Sequence, residues 1–203
     1  MINRSLKWSI TSAAVILLSL LSYNFADIKV ALWFHSMSRS WYHDLFTIIT
    51  TFGESQWYLV GGLLLFVVFR KKKPFIAYSG WFLFLSVAIS GIAADIIKFI
   101  VGRARPRLYF SEKLYGFDFF HSEHAWTSFP SGHSATALSV AVVLAMLYPR
   151  YRFFFYCFGS LIAFSRVFLA EHYISDIIAG SFLGIISTIL LYNLYFRSKL
   201  LCR

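Results

Sequence analysis

Residues 75–97 read FIAYSGWFLFLSVAISGIAADII, an apolar run with one charge, Asp95, and no proline. A helix needs ~20 such residues to cross the hydrocarbon core of a bilayer, so this run is expected to span a membrane. Working outward, five more stretches have the same character: residues 8–23, 56–69, 134–148, 153–168 and 175–196. Several fall short of the usual length, so their ends must run into the flanking polar segments. The four prolines, Pro74, Pro106, Pro130 and Pro149, all lie between the stretches, as expected if none interrupts a helix interior. The chain is 59% hydrophobic, 20% aromatic and only 14% charged, far from a soluble composition. These features predict an all-α bundle of six transmembrane helices, a single domain over residues 1–203.

The formal charge of +10 raises nucleic acid binding, but the basic residues form no single soluble face and no recognition motif, so no nucleic acid partner is expected. Their distribution tells more. Arg4 and Lys7, the run Arg70, Lys71, Lys72 and Lys73, the pair Arg150 and Arg152, and Arg197, Lys199 and Arg203 make up 11 of the 19 Lys and Arg, and these segments hold no acid. They alternate with the other loops along the chain. The positive-inside rule puts them, and both termini, on the cytoplasmic side and leaves loops 24–55, 98–133 and 169–174 facing out. No small-x-small cleavage pattern follows Leu21, so the first stretch reads as a retained signal anchor. Cys157 lies within an expected span and Cys202 is next to last, which indicates no disulfide.

Three short blocks fall in or beside the second and third outward loops. Lys98 to Pro106 reads K-x6-R-P, Pro130 to His133 reads P-S-G-H, and Ser165 to Asp176 reads S-R-x5-H-x3-D. Together they supply the cations, histidines and carboxylate needed to transfer a phosphoryl group through a histidine nucleophile. The spacing of four between His172 and Asp176 puts both on one helical face. There the carboxylate takes a hydrogen bond from one imidazole nitrogen and leaves the other free to attack. His133 follows a Ser-Gly segment that opens a helix, whose backbone N–H groups and dipole favour an anion, and it is placed to protonate a leaving oxygen. Lys98, Arg105 and Arg166 supply charge for the phosphoryl oxygens. Each block alone also has a structural reading: a His–Asp pair at a span boundary, an ordinary helix start, cations that snorkel to the headgroups.

Two smaller features accompany the blocks. Asp95, three residues before Lys98, is expected to pair with it and position it. His121 and His124 have near-helical ligand spacing, but loop histidines at the pocket mouth are favoured over a zinc site. The outward loops are rich in aromatics, including Trp33, Trp41, Phe119 and Trp126, as suits the headgroup zone.

The three blocks resemble the tripartite signature of the type 2 phosphatidic acid phosphatase (PAP2) superfamily, with every specified position present. The resemblance implies that His172 attacks phosphorus and forms a phosphohistidine, that Asp176 orients it, and that His133 serves as acid and then base. It implies further that Lys98, Arg105, Ser131, Gly132 and Arg166 hold the phosphate oxygens, with no metal and no cofactor. The expected function is hydrolysis of a terminal phosphate from a membrane lipid: undecaprenyl pyrophosphate, phosphatidylglycerol phosphate, phosphatidic acid or lipid A. The alternatives are a lipid phosphotransferase using the same intermediate and a non-catalytic lipid-phosphate binder or flippase. The expected location is a bacterial cytoplasmic membrane with the site facing the periplasm. The headgroup choice is expected to belong to loops 24–55 and 107–129.

Overall fold

The computed structural model describes residues 4–37 and 41–201. Cys202 and Arg203 lie outside the described residues, as do the side chains of Arg4 and Lys7. The helices are α1 (Arg4–Phe25), α2 (Asp27–Ser36), α3 (Trp41–Thr51), α4 (Ser55–Phe69), α5 (Pro74–Val101), α6 (Pro106–Glu112), α7 (Gly132–Leu147), α8 (Arg152–Phe168), α9 (Ile174–Leu191) and α10 (Arg197–Leu201). A π-helical turn, Tyr192–Phe196, carries α9 into α10. No β-strand occurs among the described residues.

Each of the six apolar stretches is helical. Four helical runs among the described residues are long and apolar enough to cross a membrane: Trp8–Phe25, Trp41–Phe69, Pro74–Val101 and Ile174–Leu200. The helix α7 is apolar but shorter, and α8 carries Arg152 and Arg166 near its ends. The outer faces of α1 and α4 expose Leu17, Leu18, Val60 and Val68, while the interior buries small and polar side chains such as Ala135, Ser90 and Ser139 beside larger ones such as Phe82 and Val143. An apolar outer face suits hydrocarbon as the solvent, and the small interior residues let helix backbones approach closely.

At the centre stands α7, buried on nearly every side from Ser134 to Val143. It lies close against α9 because two positions on α9 lack a side chain. A methyl on Gly180 would sit 2.3 Å from the Ser131 carbonyl oxygen, and one on Gly184 would sit 2.2 Å from that of Ala135. A hydrogen bond from Ser139 Oγ to Ser90 Oγ (3.0 Å) ties α7 to α5, and the same hydroxyl lies 3.2 Å from the Gly184 carbonyl oxygen on α9. The bundle thus fixes α5, α7 and α9 before any loop is placed.

The first outward loop differs from the expectation, since much of 24–55 is helical. In α2 the buried residues Asp27, Ala31 and Phe34 recur at helical spacing, and Phe34 packs on Phe164 and Phe168 of α8. From α3, Phe46 stacks on Phe168 at 4.1 Å between ring centroids. Through these aromatics α2 and α3 pack against the bundle, and each alone is shorter than the run a bilayer span needs.

Candidate active site

Block one is positioned by the end of α5. Gly102 terminates that helix in the left-handed conformation (φ 56°), with its N–H on the Lys98 carbonyl at 2.9 Å. A side chain is excluded there, because a methyl would fall 1.6 Å from the Asp118 carbonyl oxygen. The chain then threads between two parts of the following loop: Ala104 N–H bonds Gly116 O (3.1 Å), Arg105 N–H bonds Ala125 O (2.9 Å) and Ser128 N–H bonds Arg103 O (3.0 Å). Lys98 pairs with Asp95 at 2.9 Å, as the spacing predicts.

Blocks two and three are tied to each other by the Ser131 N–H, which donates to the Asp176 carbonyl oxygen at 3.1 Å. Ser131 is the N-cap of α7, wholly buried, and its Oγ lies 3.0 Å from that of Ser134. His172 departs from the helical-face expectation: it precedes α9, whose N-cap is Tyr173. The pair forms because Asp176 folds back over the helix start, its Oδ2 accepting the Tyr173 N–H at 2.8 Å. This is a capping contact, and it leaves the His172 Nδ1 3.6 Å from Asp176 Oδ2, longer than a hydrogen bond. The turn before His172 is set by the Arg166 carbonyl oxygen, which accepts from the N–H of Glu171 (3.0 Å) and of His172 (3.2 Å).

A cleft of about 430 Å³ collects the result. Its lining includes Lys98, Arg105, Gly132, His133, Arg166 and His172, with Asp95, His121 and His124 at the rim and Ser131 and Asp176 behind the wall. Lys98 lies against Gly132, where an added methyl would meet its Nζ at 3.0 Å. The Arg105 Nε donates to the His124 carbonyl oxygen at 2.9 Å. Glu171 Oε2 lies 3.3 Å from the Arg105 Nη1 and 3.7 Å from the Arg166 Nη2. Burial above all pushes the His172 imidazole down to about 4, with Arg105 and Arg166 adding to the effect and Asp176 opposing it. The Arg105 charge, and secondarily burial, lowers His124 as well. The cleft is therefore cationic while its central imidazole stays neutral near pH 7, which suits an anionic ligand and a histidine nucleophile.

Several residues in and around the site carry no motif. From α3, Thr50 Oγ1 accepts from Arg166 Nη1 at 3.0 Å. Gly53 abuts His133, where a methyl would sit 2.9 Å from its Cδ2. Behind the wall, Arg103 is fully buried and bridges two carboxylates, Nη2 to Asp27 Oδ2 at 2.7 Å and Nη1 to Asp176 Oδ1. Arg103 stands among the unspecified positions of block one and Asp27 opens α2, so only their charge in an apolar context marked them. His121 pairs with Asp118 at 2.6 Å and stacks on Trp126. Among the described residues no group of three or more His, Cys, Asp or Glu side chains is disposed to hold a metal ion.

Fold and cleft together define an integral membrane protein, all-helical, with a cationic, histidine-bearing cleft at the loop end of its central helices. Residues 79–200 match the PAP2 superfamily, and the chain belongs to that superfamily. It is 35% identical over 149 residues to a lipid A 1-phosphatase of Rhizobium johnstonii, a match covering 68% of this chain and 61% of that protein. It is 34% identical over 170 residues to the lipid A 1-phosphatase of Rhizobium etli, covering 78% and 73%. In fold it is similar to the transmembrane PAP2-type phosphatidylglycerolphosphate phosphatase of Bacillus subtilis, with a TM-score of 0.67 over 92% of this chain and 96% of that one, at 22% identity.

Proposed function

We propose that this protein is a membrane lipid phosphatase that removes a terminal phosphate from a lipid phosphate or pyrophosphate through a phosphohistidine on His172. One observation carries the reading: Lys98, Arg105, Arg166, His133 and His172, drawn from three distant stretches of sequence, line one cleft. In the first step His172 Nε2 forms a bond to phosphorus as the bond to the lipid oxygen breaks, and His133, which holds its proton against the negative charge of the bound phosphate, gives that proton to the leaving oxygen. In the second step neutral His133 takes a proton from water, which attacks phosphorus and releases phosphate from His172. The three cations and the Gly132 backbone hold the phosphoryl oxygens. Asp176 supports the positive charge that His172 acquires.

The alternating basic segments support six spans with both termini cytoplasmic and the cleft at the outer face, and the bacterial relatives support a cytoplasmic membrane as the location. The two Rhizobium proteins make the 1-phosphate of lipid A the first substrate to try. The test is phosphate release in detergent, with EDTA present, from lipid A, undecaprenyl pyrophosphate, phosphatidylglycerol phosphate and phosphatidic acid. Release from at least one lipid, lost in His172→Ala, is expected; release undiminished in His172→Ala refutes the mechanism.

A further inference from the structure

Behind the cleft wall lies a buried ionic set that the chemistry above uses only at its edge. Asp27, Arg103 and Asp176 are each 1% exposed or less. Asp27 Oδ1 accepts from Ser22 Oγ (2.7 Å) and Ser175 N–H (3.1 Å), while its Oδ2 takes Arg103 Nη2 and the Ser175 hydroxyl. Asp176 Oδ2 takes Ser128 Oγ at 2.7 Å in addition to the Tyr173 N–H. The rings of Tyr23, Tyr115, Phe117 and Tyr173 surround the guanidinium, with centroids 4.6–5.5 Å from its Cζ.

We infer that Asp27 is a positioning residue for His172: by sharing Arg103 it leaves Asp176 enough negative charge to hold the His172 proton on Nδ1 and keep Nε2 free. This rests on the reading of His172 as the nucleophile. The set contains two carboxylates and one guanidinium, a net charge of −1 walled off from water, where charge acts strongly. Asp27 does not line the cleft, so it reaches His172 only through Arg103 and Asp176. The other charges near His172 are Arg105 and Arg166, with His133 and Glu171 beside them, and none of these touches Asp27. Without the Asp27 charge the whole guanidinium falls to Asp176 and the set becomes neutral. The negative field of Asp176 at His172 Nδ1, which lies 3.6 Å from its Oδ2, then weakens, the Nε2–H tautomer of His172 gains population, and the cation formed on phosphorylation loses support.

The test compares wild type, Asp27→Asn and Asp27→Glu as full chains in detergent, reading kcat and KM together with the His172 tautomer by nitrogen-15 histidine NMR at pH 7. Asp27→Asn is expected to lower kcat about 10–100-fold with KM changed less than about twofold. It also moves His172 toward Nε2–H, and Asp27→Glu, which keeps the charge, recovers most of both. A folded Asp27→Asn protein with wild-type kcat overturns the inference. So does a kcat loss with an unchanged tautomer, or an equal loss in Asp27→Glu, since either marks a merely structural role. Should Asp27→Asn fail to fold, Asp27→Ser and Asp27→Thr, which also remove the charge, are read the same way, and an unchanged tautomer and kcat in either folded variant overturns it. If the wild type releases no phosphate, the proposed function fails on its own, while the tautomer comparison still decides whether Asp27 controls His172.

Discussion

Replacing Gly180 by alanine perturbs the site without touching any residue that lines the cleft. The added methyl would sit 2.3 Å from the Ser131 carbonyl oxygen, about 1.1 Å inside the 3.4 Å of an ordinary contact. The obstacle is backbone at the start of α7, so no side-chain rotation relieves it, and α7 and α9 must move apart by about that distance. Gly132 and His133 travel with α7, whereas His172 and Asp176 travel with α9. A displacement of ~1 Å between reacting groups costs on the order of 100-fold in rate, or ~2.7 kcal/mol of transition-state stabilisation. Overpacking of this kind also costs about 1–3 kcal/mol of stability, which leaves a cooperative fold. The assay is phosphate release together with thermal melting in detergent, with Gly91→Ala as control because nothing lies within 4 Å of a methyl there. A kcat/KM lowered about 100-fold in Gly180→Ala and preserved in Gly91→Ala is expected. A folded Gly180→Ala protein with wild-type kcat/KM refutes the claim that the α7–α9 contact sets the geometry of the site.

Two further outcomes are expected. Burial holds His172 down to about 4, and only its neutral form attacks, so activity is lost as the pH falls through that value and not through the ~6.5 of a free imidazole. A profile of kcat/KM corrected for substrate ionisation checks this, and an acid limb near 6.5 assigned to His172 contradicts it. Glu171 shares Arg105 and Arg166 but is 45% exposed, so its ion pairs are worth no more than ~1 kcal/mol. Inhibition by orthophosphate should therefore tighten about two- to fivefold in Glu171→Gln, and weaker inhibition would show that Glu171 assists anion binding.

Much of this arrangement is legible in the sequence because membranes impose simple rules. Run length locates six helices, and the three blocks name residues that meet in one cleft although 74 positions separate Lys98 from His172. What escapes has physical reasons. The helices α2 and α3 are ten and eleven residues long, too short on their own to show the long apolar run by which the other stretches are found. Asp27 and Arg103 lie 76 residues apart, and no local pattern announces that two lone charges will neutralise each other in the interior. For His172 and Asp176 the spacing finds the right partners for the wrong reason: they meet through a helix cap, which the residue interval alone does not distinguish from a shared helical face.

The claim on which the mechanism depends is that phosphorus becomes bonded to His172. Rapid quenching of wild type with a lipid labelled in its terminal phosphate, followed by peptide mapping, tests it directly. The predicted result is an acid-labile, alkali-stable label on His172 that forms and decays at rates compatible with turnover and is absent from His172→Ala. A label on any other residue, or full turnover by His172→Ala, contradicts it.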